Sequence, residues 1–258
     1  MNSMTEANRK AWDTLAKAHY ENYHIDKLLV GEPLLNELVR DEVGDVSGKS
    51  LIHLLCHIGT DTLSWGLLGA QVTGVDISAE ALKYARKLAR QTGIAANFIR
   101  SDVMELPAKL TASYDIVFAS IGVLCWIPDI DRFAGNIRGL LKPGGFVYLL
   151  DGHPFHDKMI ELTEQGEPVI MHDYFHTGHW EYEYFSDYVV KEHNVRARSY
   201  EWGWTMGQVV TAFCQARMRI EFLHEFPQFF YGGYAGHSED IERKQIYPCT
   251  FSIKAVAE

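Results

Sequence analysis

The stretch LIHLLCHIGTDTLSWGLLGAQVTGVDIS, residues 51–78, decides how this chain is read. Leu51 to Cys56 is a short apolar run bounded by turn signals, as a buried strand requires. Gly59 follows in a tight turn, Thr60 to Leu68 reads as a helix, and Gln71 to Val75 reads as a second strand. Asp76 stands 17 residues after Gly59, at the tip of that second strand. A strand, a glycine turn, a helix and a strand ending in an acid outline a nucleotide pocket. Such loops carry several glycines, and here only one remains.

The alternation continues downstream. Ser78 caps a helix whose Leu82, Ala85, Leu88 and Ala89 share one face and which stops at Gly93. Asn97 to Arg100 reads as a third strand and Tyr114 to Ile121 as a fourth. Ile130 to Leu141 reads as a helix, and LKPGG as a Pro/Gly turn into a fifth strand, Phe146 to Leu150. Strands alternating with helices at this spacing imply a parallel sheet. Upstream, residues 4–23 read as a helix with Trp12, Leu15, Ala16, His19 and Tyr23 on one stripe. Glu32 to Arg40 reads as a second helix, with Pro33 in its first turn. After Asp151 the rhythm breaks into a His- and aromatic-rich stretch, in which Glu181 to Val190 and Val195 to Trp202 could pair as strands. Thr205 then opens a helix, with Gln208 completing a capping box. Ile220 to Phe226 and Thr250 to Val256 read as two final strands.

The 258 residues carry a formal net charge of −10, with 47% hydrophobic and 22% charged residues. That composition predicts a filled core, and it argues against a nucleic-acid partner because no Lys/Arg-rich run exists to neutralise a phosphate backbone. Cys56, Cys125, Cys214 and Cys249 form no CxxC pair. Cys56 and Cys125 lie in apolar, strand-like contexts and read as reduced thiols. The polar N-terminus lacks an apolar signal core and no apolar run reaches membrane-spanning length, so a cytoplasmic location with no membrane partner is expected.

Five motifs in order, LIHLLCHIG, GAQVTGVDIS, SDVMELP, YDIVFASIGVLCWIPD and LLKPGGFVYLLD, resemble those of the class I S-adenosylmethionine-dependent methyltransferases. The resemblance covers roughly residues 48–151. The wider chain is similar to a bacterial small-molecule subgroup with a CHxGxDTL-like first motif. It implies an α/β fold, Rossmann-like and doubly wound, with a mostly parallel seven-stranded sheet, helices on both faces and an aromatic-rich insert after the fifth strand. On that reading residues 1–45 are a helical lid and 46–151 the cofactor-binding core. Residues 152–203 are an insert covering the substrate, and 204–258 complete the sheet. The implied cofactor is S-adenosyl-L-methionine, with S-adenosyl-L-homocysteine as product. The usual first motif runs VLDLGCGxG. Here His53 replaces its acid, and Leu55 and His57 replace two glycines.

The same resemblance implies contacts for Asp76 and Ile77 with the ribose and for Asp102 and Val103 with the adenine. His53, Leu55, Cys56, His57, Gly59 and Ser120 would line the methionine side, and Tyr23 would reach over from the N-terminal helix. Methyl transfer needs an in-line acceptor more than a chemical group from the protein. If a base is used, His153 is the candidate closest to the fifth strand. His156, His172 and His176 are others, and His153 with His156 is a poor metal pair, so no metal is expected. The aromatic C-terminal half, including Tyr174, Trp180, Tyr184, Trp202, Phe229, Phe230, Tyr231 and Tyr234, predicts a small, partly hydrophobic or aromatic acceptor methylated on O or N. Some of those aromatics could instead serve a homodimer. Two alternatives stay open: a relative using the bound sulfonium for non-methyl chemistry, and a non-catalytic binding module on the same fold.

Overall fold

The computed structural model describes residues 2–162, 168–176, 178–183, 185–186, 189, 194–228 and 247–258. Seven strands form one sheet: β1 Ser50–Leu54, β2 Gln71–Asp76, β3 Ala96–Arg100, β4 Tyr114–Ser120, β5 Leu141–Gly152, β6 Met218–Phe226 and β7 Thr250–Ala257. Their order across the sheet is β6-β7-β5-β4-β1-β2-β3. β1 to β5 are parallel, while β7 runs antiparallel between β5 and β6. The order reverses between β1 and β4, and in sheets of this kind that reversal opens a crevice beyond the carboxyl ends of the strands.

Helices cover both faces: α1 Ser3–Asn22, α2 Glu37–Val43, α3 Thr60–Leu67, α4 Ala79–Thr92, α5 Ile130–Leu140 and α6 Met206–Gln215. Alternate side chains of each central strand enter different layers, because successive Cβ atoms point to opposite faces. Ile52, Val117, Ala119 and Leu149 pack with Phe133 and Ile137 of α5 and Phe213 of α6. Leu51, Ile116, Phe118 and Tyr148 pack on the other face with Trp65 of α3 and Val39 of α2. A third cluster joins Ile58, Leu82, Ala85, Leu88 and Phe98 beneath Ala16 and Tyr20 of α1.

Capping bonds set the helix boundaries. Ser78 Oγ accepts from Ala81 N, Gly93 ends α4 in the left-handed region, and Thr205 and Gln208 form the expected reciprocal box. Two element boundaries differ from expectation. The second helix begins at Glu37, not Glu32, because Asn36 supplies the cap by accepting from Leu38 N at 2.8 Å; Pro33 therefore lies before the helix. LKPGG is a bulge within β5 rather than a turn before it. Tyr114 pairs with Leu141 and Ile116 with Phe146, so Lys142 to Gly145 are accommodated outside the ladder.

The segment after β5 pairs much as its pattern suggests, His179–Tyr182 with Ser199–Trp202 and Phe185–Ser186 with Asn194–Val195. None of the four cysteines is in a disulfide among the described residues. Cys125 falls in a short 3-10 turn, Leu124–Trp126, and not in a strand. Among the described residues, no helix is long and apolar enough to cross a membrane.

Gly59 combines φ 78° with tight surroundings: an added Cβ would lie 2.9 Å from the Phe98 ring and 3.0 Å from Ala85 Cβ. Gly59→Ala is expected to destabilise the fold by about 2–4 kcal/mol through overpacking and left-handed strain together. Urea unfolding checks this, and a change below about 0.5 kcal/mol would contradict the packing.

Candidate active site

Asp76, the last residue of β2, is buried, and both its oxygens are already engaged. Oδ1 accepts from Ser78 N at 2.8 Å and Oδ2 from His57 N at 2.8 Å. One carboxylate thereby orders the start of α4 and the loop after β1. Burial lifts its pKa to about 6, opposed by those N–H donors. Each oxygen can accept a further hydrogen bond, and Asp76 forms part of the wall of a cavity at the strand ends.

The loop that lacks glycines keeps a glycine-like backbone. Leu55 and His57 adopt φ 55° and 49°, and Gly59 follows at 78°. Non-glycine residues in this region carry strain, which tends to persist where a site needs the geometry. The His57 ring is held by His19 of α1, with Nδ1 of His19 2.8 Å from Nε2 of His57, and by the edge of Trp12. Burial, and then the neighbouring His19, keep His57 well below the ordinary imidazole range, so it is neutral. Burial and the adjacent Asp76 hold the Cys56 thiol well above its normal value, which makes it inert as a nucleophile.

At the other end of the cavity, three side chains converge from β1, β4 and α3. The His53 ring packs edge-on against Phe118, and its Nδ1 lies 2.9 Å from Thr62 Oγ1. Its Nε2 is buried on the cavity wall and has no hydrogen-bond partner among the described residues. Burial lowers His53 to about 3, with only the Ser120 main chain opposing, so this ring is also neutral. Ser120 Oγ donates to Asp61 Oδ2 at 3.3 Å. Asp61 is part-buried with its free face on the cavity, and burial raises it to about 6.

Tyr23, His53, Leu55, Cys56, His57, Asp76, Ile77, Asp102, Val103 and Ser120, all expected from the sequence, line this one cavity. Asp102 Oδ1 accepts from Met104 N, and the Val103 carbonyl accepts from Asn136 Nδ2, which ties their loop to α5. Gly59 does not reach the wall, since its missing side chain is needed against Phe98 and Ala85. His153 is not on the wall either. Its Nδ1 accepts from Phe155 N at 3.1 Å, so Nε2 carries the proton given to Glu225 at 2.8 Å. Burial lowers it, with Glu225 opposing. Its place after β5 suggested the pocket, but β5 runs on to Gly152 and His153 N bonds to Cys249 O on the β7 side. His172 and His176 lie against Trp180, and His156 stacks on Tyr247. Among the described residues, no group of His, Cys, Asp or Glu has the arrangement of a metal site.

Sequence reasoning missed Asp61, the apolar wall from Leu34, Leu35, Val39, Ile121 and Leu150, and the clamp made by Asp151. Asp151 accepts from the main-chain N–H groups of Gly122, Val123 and Leu124 at 2.6–3.1 Å, which fixes the loop after β4. An acid in the first turn of a helix beginning at a strand end was the available signal for Asp61. None of the described residues of 152–203 lines the cavity. That segment meets the site through Asn8 of α1, which exchanges two 2.7 Å hydrogen bonds with the Tyr200 main chain. Tyr184, Phe229, Phe230, Tyr231 and Tyr234 lie outside the described residues.

A parallel sheet with a late antiparallel strand, and an acid-lined crevice at its switch point, define an α/β nucleotide-type binding fold. Residues 53–149 match the family described as a methyltransferase domain. The ubiquinone biosynthesis O-methyltransferase of Bordetella pertussis is 32% identical over 116 residues, which are 45% of this chain and 48% of that protein. Its namesake in Klebsiella pneumoniae subsp. pneumoniae is 33% identical over the same length. The matched segment thus spans about half the length of these curated relatives. An S-adenosylmethionine dependent methyltransferase from Mesorhizobium loti superposes with a TM-score of 0.62 at 20% identity, over 85% of this chain and 95% of the other. Geranyl diphosphate C-methyltransferase from Streptomyces coelicolor A3(2), determined with S-adenosyl-L-homocysteine, gives 0.57 at 12%, over 86% and 78%. Residues 53–149 therefore match a methyltransferase domain, and the fold around them is the one seen in these solved methyltransferase structures.

The buried, neutral His53 has a sign that can be checked. Its folded pKa lies below the unfolded value of 6.5, so it opposes folding as pH falls through 6.5 toward about 3. Between pH 7 and pH 5, His53→Gln should therefore lose roughly 2 kcal/mol less stability than the wild type. Urea titrations at the two pH values measure the difference, and parallel losses would contradict a neutral His53.

Proposed function

We propose that this chain is an S-adenosylmethionine-dependent methyltransferase that methylates oxygen or nitrogen of a small, partly hydrophobic or aromatic molecule in the cytoplasm. The observation that carries the reading is the cavity at the sheet's switch point. It holds three carboxylates, Asp61, Asp76 and Asp102, and among its described residues no Lys or Arg. Such a site suits a ligand bearing cationic groups and a sugar diol, and His53 Nε2, without a partner among the described residues, is open to hydrogen bonding with it.

In this assignment the ribose hydroxyls donate to the free lone pairs of Asp76. Asp102 accepts from the adenine amino group, and the Val103 N–H meets a ring nitrogen. Tyr23 and Trp12 close the pocket from α1, which acts as a lid, and their ring faces suit a sulfonium. The donor supplies an electrophilic methyl, so the protein's contribution is orientation and exclusion of water. The apolar wall from Leu34 to Val39, with Ile121 and Leu150, favours an uncharged acceptor surface.

Titration calorimetry with S-adenosylmethionine and S-adenosylhomocysteine tests this directly. Binding to the wild type is expected, and Asp76→Ala should weaken it by ~10–100-fold, the loss of charge-assisted hydrogen bonds to the ribose. If neither compound binds at millimolar concentration, the proposal fails.

A further inference from the structure

Asp61 is a carboxylate on a cavity wall with no basic partner among the described residues. Ser120 Oγ donates a hydrogen bond to it, and among the described residues no Lys, Arg or His forms an ion pair with it. A carboxylate in this position is disfavoured unless a positive charge meets it. His53 is 3% exposed on the same wall, and its Nε2 lacks a partner among the described residues. Nδ1 lies against Thr62 Oγ1, and in the tautomer protonated there Nε2 presents a lone pair to the cavity. A carboxylate and this ring nitrogen thus face one cavity whose wall carries no Lys or Arg among the described residues.

Strand order says what belongs there. Asp102 follows β3 and Asp76 ends β2, so an adenosine held by them lies over that side of the sheet. The next strands are β1, with His53, and β4, with Ser120. A ligand extending from ribose across the switch point reaches them with its amino-acid tail.

We propose that Asp61 and His53 Nε2, with Ser120 orienting the carboxylate, form an ammonium-binding subsite for the α-amino group of the methyl donor. The assignment rests on the methyltransferase reading above and deepens it. His53 occupies the strand position where this chain lacks an acid, and the negative charge is supplied instead from the first turn of α3. Asp61 is here a binding residue, not a base for the acceptor.

Calorimetry with the full-length protein tests this with two ligands, S-adenosylhomocysteine and its analogue lacking the α-amino group. The wild type should prefer the aminated ligand by at least ~10-fold, and Asp61→Asn should reduce that preference to within ~2-fold while leaving affinity for the deaminated analogue unchanged. The same variant should melt higher than the wild type without ligand, by about 2 °C or more, because an uncompensated charge has been removed. Equal wild-type affinity for the two ligands overturns the subsite, and needs no variant. So does an Asp61→Asn protein that keeps the preference, loses both ligands equally, or loses turnover alone. Wild-type protein that binds neither ligand overturns the methyltransferase reading itself, and the subsite with it.

Discussion

The structure depends on one buried carboxylate held by two main-chain amides. Asp76 takes the N–H of Ser78 on one oxygen and that of His57 on the other. The first bond starts α4, and the second fixes the loop leaving β1. Because His57 is placed there, its ring can meet His19 and Trp12, and α1 is brought across the crevice. Asp13 of the same helix accepts from Ser78 Oγ at 2.6 Å, so α1 is tied to α4 beside the same acid. The cover of the cavity and its floor therefore share one anchor. Burial raises the pKa of this acid to about 6 despite its two N–H donors, a shift of the kind that clusters at ligand sites.

The first loop shows how a pocket survives the loss of its glycines. Glycine is the usual choice at such positions because it enters the left-handed region without penalty. Leu55 and His57 enter it anyway, each at a cost of order 1 kcal/mol. The surroundings repay that cost: Leu55 packs against the core cluster under β1 and β4, and His57 makes the contacts to Asp76, His19 and Trp12. What a flexible residue would do through freedom, this chain does through contacts. Gly59 remains because two conditions coincide there, a positive φ and the near contact with Phe98 and Ala85.

The parallel core was legible in the sequence because its signals are local. β-branched and apolar runs, the Ser78 cap and Gly93 each act within a few residues of the boundary they set. The acids at the tips of β2 and β3 were legible for the same reason, since a strand end fixes where its last side chain lies. Other features depend on tertiary partners. Pro33 is compatible with a first turn, but Asn36 offers the better cap and moves the helix start. LKPGG reads as a turn, yet Lys142 Nζ bonds to both carboxylate oxygens of Asp115 at 2.9–3.0 Å, and the segment stays in the sheet as a bulge. His153 is next to the pocket in sequence but is drawn to Glu225 and Cys249 across β7. Asp61 escaped notice because its neighbours on the cavity wall, His53 and Ser120, come from two strands and not from its own helix.

Electrostatically, the site is one-sided. Its titratable groups are acids or neutral imidazoles, and its wall carries no Lys or Arg among the described residues. That arrangement selects for charge on the ligand in a way that shape alone would not. The most direct check is a crystal structure with S-adenosylhomocysteine. The account predicts ribose hydroxyls within hydrogen-bonding distance of Asp76, the adenine beside Asp102, and α1 closed over both. A ligand bound elsewhere, with the crevice filled by the paired rings of His19 and His57, would contradict it.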